Sequence, residues 1–138
     1  MVAEYGTREQ KEWILEGVAS GDLIGALGNT EPEHGSDAAN IETTAERDGD
    51  EYVIDGEKYW IGNGVEADWV TLYAKTGNDP ENRYGNFSLF VVPTDSDGYD
   101  AEHIPEKMAM PASKQAHLHL DGLRVPEENP LGVEGAGF

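Results

Sequence analysis

Apolar positions in this chain recur at two different periods. Near the start, Trp13, Ile14 and Val18 give one apolar side at helical spacing, behind Thr7 and Gln10, which stand three apart as a capping box. Gly17 and Gly21 bracket the expected end of that helix. From Leu23 onward the pattern is that of strands. Leu23 to Thr30 is a candidate strand whose Gly25 and Gly28 predict close backbone approach by another segment. Ile41 to Arg47 alternates, and Asp48-Gly49 is a two-residue hairpin signal leading into Tyr52, Val53 and Ile54. Asp55-Gly56 repeats that signal and launches Glu57 to Asn63. Further strands are predicted over Trp69 to Thr76, Phe87 to Pro93, Tyr99 to Pro105, Ala116 to Asp121 and Leu123 to Pro126. Asn78 to Asn86, poorest in apolar residues, reads as a mobile hairpin loop. Short strands at this spacing predict a mainly β fold: an antiparallel β-barrel or two-sheet sandwich behind a short N-terminal helix.

Composition narrows the function classes. A chain of 138 residues is one ordinary domain, and an aromatic share of 9% argues against disorder. No apolar run is long enough for a membrane span or a signal-peptide core, so a cytoplasmic location is expected. Without cysteine there is no disulfide, thiolate metal site or thiol chemistry. Twenty-eight acidic residues against nine basic ones leave a net charge of −19, which disfavours nucleic acid and anionic lipid as partners. The acids are scattered, roughly 16 Å apart on a folded surface of about 7,000 Å². Their mutual repulsion is screened by molar salt, which suggests a halophilic protein. An ordinary acidic protein is the alternative.

Two stretches carry candidate chemistry. In Thr30-Glu31-Pro32-Glu33-His34-Gly35-Ser36-Asp37, a turn with exposed amides and hydroxyls follows a glycine-weakened strand, as suits a phosphate or the polar edge of a heterocycle. In Lys58-Tyr59-Trp60-Ile61-Gly62-Asn63-Gly64, a large aromatic meets a glycine-rich strand end, as suits stacking on a planar ring. On spacing alone, a polar turn and a core tryptophan account for both. His117 and His119 share one face if they lie in a strand, but no third metal ligand stands near them in sequence, so no metal site is assigned.

Taken together and in order, these residues resemble the middle domain of the flavin-dependent acyl-CoA dehydrogenases. The likeness rests on Thr30 to Pro32 with Gly35 to Asp37, on Lys58, Trp60, Ile61 and Asn63, and on Arg124 to Pro126 followed by the glycine-rich exit Gly132 to Phe138. The opening Tyr5-Gly6-Thr7 with Glu9-Gln10-Lys11 is similar to the close of that family's N-terminal helical domain. The implied organisation is a helical remnant over 1–21, a β-barrel over 22–126 and an exit segment over 127–138.

The resemblance implies a role for particular residues. The strand ending at Thr30 would lie along the isoalloxazine of FAD, with the Thr30 hydroxyl bonded to the ring and Leu27, Gly28 and Asn29 giving backbone contacts. Ser36 would lie near the pyrophosphate and the pantetheine of acyl-CoA. Trp60 and Ile61 would pack beside the ring, and Gly62 would offer a backbone amide where many members carry a hydroxyl. The implied reaction is α,β-dehydrogenation of an acyl-CoA thioester, with electrons passed to an electron-transferring flavoprotein. Its base belongs to a C-terminal helical domain expected to begin where this chain stops, so no catalytic residue is assigned. FAD binding by the chain alone is expected to be weak or absent without the helical domains or oligomer mates. Ala109, Pro111 and Gln115 also depart from the family pattern. The alternative is a free-standing acidic barrel without catalysis, serving as a binding or assembly module.

Overall fold

The computed structural model describes residues 1–137, apart from the side chain of Arg83; Phe138, the end of the predicted exit segment, lies outside them. The predicted capping box is formed: the Gln10 N–H donates to Thr7 Oγ1, and the Thr7 N–H donates to the Gln10 side chain. It opens helix α2 (Arg8–Ser20), which ends on Gly21 in the left-handed conformation. A single turn, α1 (Val2–Tyr5), precedes it.

Seven strands follow: β1 (Gly25–Gly28), β2 (Thr44–Asp48), β3 (Glu51–Gly62), β4 (Trp69–Lys75), β5 (Phe87–Pro93), β6 (Tyr99–His103) and β7 (Gln115–Pro126). They form one curled sheet in the order β1-β4-β2-β3-β7-β6, with β5 on the far side of β4. The mainly β fold behind a short helix is therefore as predicted. Most pairings are antiparallel, but β1 runs parallel to β4, and β2 touches the end of β4 in the same sense.

The two expected breaks within long strands are absent. Asp55-Gly56 makes no hairpin, and β7 continues through Asp121-Gly122. Ile54 pairs Leu123 and Gly56 pairs Leu120, so β7 spends one residue more than β3 between these pairs. That surplus is a bulge. It lets Leu120 and Leu123, three apart, both face the core, and the Gly122 N–H at the bulge donates to the Asp55 carboxylate at 2.7 Å.

The concave side holds the main core, including Tyr52, Ile54, Ile61, Val70, Leu72, Phe90, Leu118 and Leu123. The hairpin β4–β5 is buried on both faces. Phe90 and Val92 point into that core, while Leu89 and Val91 meet Ile14 of α2, Val2 and Leu131 on the other side. The last segment returns along β5, where the Leu131 N–H donates to Leu89 O at 2.7 Å and the Gly137 N–H to Phe87 O at 2.8 Å.

Candidate functional site

A second bulge builds the candidate site. Lys58 pairs Leu118 and Ile61 pairs Ala116, so here β3 carries the extra residue. Lys58 and Ile61 are both buried although three apart, a parity that a regular strand cannot satisfy. The bulge at Tyr59–Trp60 absorbs the difference. Trp60 takes the left-handed conformation with φ 59°, uncommon for a bulky residue, and its side chain is left 49% exposed. At the same bulge, the Tyr59 N–H donates to Thr30 O at 2.8 Å. This bond brings the end of β1, and with it Thr30, beside Trp60.

Beneath that junction lies a buried ion pair. Lys58 has no exposed surface, and its ammonium donates to Glu31 Oε1 at 2.8 Å and to Asn29 O at 3.3 Å. The Glu31 carboxylate also accepts from the Glu42 N–H, from the Thr43 N–H at 3.0 Å and from the Thr43 hydroxyl. Burial pushes the Lys58 ammonium down to about 8, although Glu31 holds it up. Burial acts to raise the Glu31 pKa, but Lys58 and the donors from Glu42 and Thr43 leave it below the ordinary carboxylate value. One charge pair thus fastens the Thr30 segment to the Trp60 segment.

The sequence-predicted residues are not all placed alike. Leu27 is 47% exposed at the end of β1, and Gly28 is buried, with Leu72 so close that a Cβ would lie 2.6 Å from its Cδ2. Thr30 and Trp60 share the junction, and Gly62 is exposed at the end of β3 opposite Gln115. Ile61 differs from its expected role: its side chain is 2% exposed within the main core, so only its backbone can face a ligand. Ser36 is exposed beyond the tight turn in which Glu31 and His34 exchange backbone bonds. Among the described residues, no hydrogen bond ties it to the junction.

The sequence model for the acyl-CoA dehydrogenase middle domain matches residues 26–123. The chain belongs to the acyl-CoA dehydrogenase family. A probable acyl-CoA dehydrogenase of Bacillus subtilis is 42% identical over 134 residues, covering 97% of this chain and 35% of that protein. The crystal structure of an acyl-CoA dehydrogenase from Geobacillus kaustophilus superposes with a TM-score of 0.95 at 42% identity, over 99% of this chain and 36% of that one. A glutaryl-CoA dehydrogenase from Mycobacterium smegmatis, in complex with FADH2, matches with a TM-score of 0.87 at 37% identity, over 98% of this chain and 34% of the other. The chain thus spans about a third of the length of these relatives, and it is the middle domain of an acyl-CoA dehydrogenase.

The residues at the junction fit a flavin. Exposed Trp60 and Leu27 offer apolar surface to a planar ring. Among the described residues, Asn29 Oδ1 is buried without a hydrogen-bond partner, an acceptor that a ligand N–H would satisfy. Gly62 leaves its strand end open to a bound group.

Sequence reasoning missed two things here. The Lys58–Glu31 ion pair is not marked by either motif; the available signal was that Lys58 shares the parity of Tyr52 and Ile54 along the strand, which aims it at the core. Sequence reasoning also found no third partner for His117 and His119. The structure supplies Glu57, with its carboxylate 2.8 Å from His117 Nε2 and the three ligand atoms within 4.8 Å of one another.

Proposed function

We propose that this chain forms one wall of the FAD site in an enzyme that dehydrogenates acyl-CoA thioesters. The observation that carries the reading is the junction itself: Trp60 turned outward at a bulge, with Thr30 bonded to the same bulge. When bound, FAD supplies the hydride acceptor for the β-carbon of the substrate. The chain's own residues bind and orient. Trp60 and Leu27 give apolar contact that keeps water from the ring, the Thr30 hydroxyl holds a polar ring edge, and Asn29 accepts from a ligand N–H. Gly62 offers an amide, and Ser36 a hydroxyl toward the pyrophosphate and the pantetheine. Gln115, directly opposite Gly62 on β7, flanks the same strand end.

Such a site needs more than one wall. The substrate's α-proton must be removed by a carboxylate from a helical domain outside this chain, and ligand affinity depends on the contacts that such helices, or mates in an oligomer, contribute. An electron-transferring flavoprotein is the acceptor in this scheme, and a cytoplasm of molar salt is the setting that the charge favours.

Reconstitution tests the reading. Helical domains from a family member, added in trans with FAD, should give a yellow complex that survives gel filtration, whereas this chain alone should elute colourless. Trp60→Ala should weaken the reconstitution at least tenfold. Stoichiometric FAD on the chain alone, or a Trp60→Ala complex as tight as the parent, would refute the placement.

A further inference from the structure

We propose that Glu57, His117 and His119 form a surface site for a divalent transition-metal ion, with zinc as the reference occupant. The site lies on the convex side of the sheet. Ala116, Leu118 and Leu120 of β7 point into the core, so His117 and His119, alternating with them, point outward together. Glu57 of β3 pairs directly with His119, and its carboxylate reaches across to His117 Nε2 at 2.8 Å. The two imidazoles lie with ring centroids 4.0 Å apart, their planes tilted by 40°. On the other flank, Asp100 and Glu102 of β6 pair with His119 and His117, and Glu102 Oε2 lies 3.8 Å from His119 Nε2.

The donor set is the right chemistry. Two imidazoles and one carboxylate suit zinc, and also copper or nickel, while magnesium and calcium prefer an all-oxygen shell. Ligand atoms around tetrahedral zinc stand about 3.4 Å apart at bond lengths near 2.1 Å. The widest separation here, 4.8 Å, must therefore close by roughly 1.4 Å. The exposed Glu57 and the partly exposed His119 can rotate that far, and water completes the shell. Glu102 and Asp100 supply further negative charge, within a chain of net charge −19 that concentrates cations at its surface. Tyr59 packs edge-on against His117 at 4.8 Å, which limits that ring's movement. A metal held there would tie β3 to β7, the two strands that carry its ligands. The site is separate from the FAD reading, since none of its ligands belongs to the Thr30–Trp60 junction.

The test is titration of the full, untagged chain, freed of metal, with Zn²⁺ alone and then with Co²⁺. Saturable binding of one Zn²⁺ per chain is expected, with a higher thermal midpoint and visible Co²⁺ absorption in the range of low coordination number. His119→Ala and Glu57→Gln should each weaken Zn²⁺ binding at least tenfold, while His34→Asn should leave it unchanged. Circular dichroism of each variant reports whether it folds, and the Co²⁺ spectrum of the parent stands without any variant. Absence of saturable binding by the parent would overturn the proposal. So would affinity unchanged in folded His119→Ala and Glu57→Gln, which would mean adventitious binding by surface carboxylates.

Discussion

Lys58 and Glu31 meet 2.8 Å apart with almost no exposed surface on either side chain, and the pair joins the strand end bearing Thr30 to the bulge bearing Trp60. Among the described residues, the donors to the Glu31 carboxylate come from three places: the 42–43 backbone, the Thr43 hydroxyl and Lys58. The pair is satisfied, and its value lies in what it positions. Taking two charges out of water costs about as much as their attraction returns, whereas removing one partner strands the other.

Single substitutions should therefore be severe. Lys58→Met or Glu31→Gln is expected to destabilise by about 3–5 kcal/mol, the range for breaking a buried pair. The double variant should lose less than the sum of the two. Denaturant titration of all four proteins decides this, and simple additivity would remove the coupling.

The same carboxylate predicts an acid limb. The folded pKa of Glu31 is lowered, so as pH falls the unfolded chain takes up this proton first. The stability it contributes is present above the ordinary value of 4.5 and is lost as pH falls through the folded value. The gap in thermal midpoint between the parent and Glu31→Gln should be widest near neutrality and narrow below that value. A gap constant from neutral pH to strongly acid conditions would contradict this account.

Gly56 and Gly62, six residues apart on one strand, should respond oppositely to a side chain. At Gly56, φ is 145° and a Cβ would lie 2.8 Å from Thr43 Cα, backbone that cannot swing aside. Gly56→Ala should cost roughly 2–3 kcal/mol through strain and overpacking. At Gly62 the nearest atom to a Cβ is Gln115 Nε2 at 3.7 Å, an ordinary contact. Gly62→Thr should change stability by no more than about 0.5 kcal/mol, and a midpoint drop as large as that of Gly56→Ala would refute the open strand end.

Salt should stabilise the fold. Screening weakens exposed pairs such as Arg124 with Asp48 and Glu51, but these contribute little each. Repulsion across a net charge of −19 is the larger effect. Relief of about 2 kcal/mol between low and molar KCl would raise the midpoint by roughly 6–10 °C for a domain of this size. A flat or falling midpoint would end the halophilic reading.

Activity should be absent from the chain alone. A positioned general base is worth about 10²- to 10⁴-fold in rate, and the solvated carboxylates here are not aimed at a bound thioester. Dye-linked assays with short-chain, medium-chain and glutaryl substrates, run with excess FAD, should read zero turnover. Turnover that vanishes on Thr30→Ala would show that the chain carries a base of its own.

Much of this protein was legible from its residues. The capping box at Thr7 and Gln10, the strand periodicity, and the motifs around Thr30 and Trp60 are local patterns, and local patterns survive in a one-dimensional reading. What stayed hidden depends on register. Whether Asp55-Gly56 turns or continues, and which way Trp60 points, follow from how many residues β3 and β7 each spend between paired positions. The parallel contact of β1 with β4, the meeting of Lys58 with Glu31, and the arrival of Glu57 beside His117 and His119 join residues 27 to 62 positions apart. A side chain's face alternates with every residue, so one extra residue in a partner strand reverses the answer. That residue is counted only once the two strands are paired.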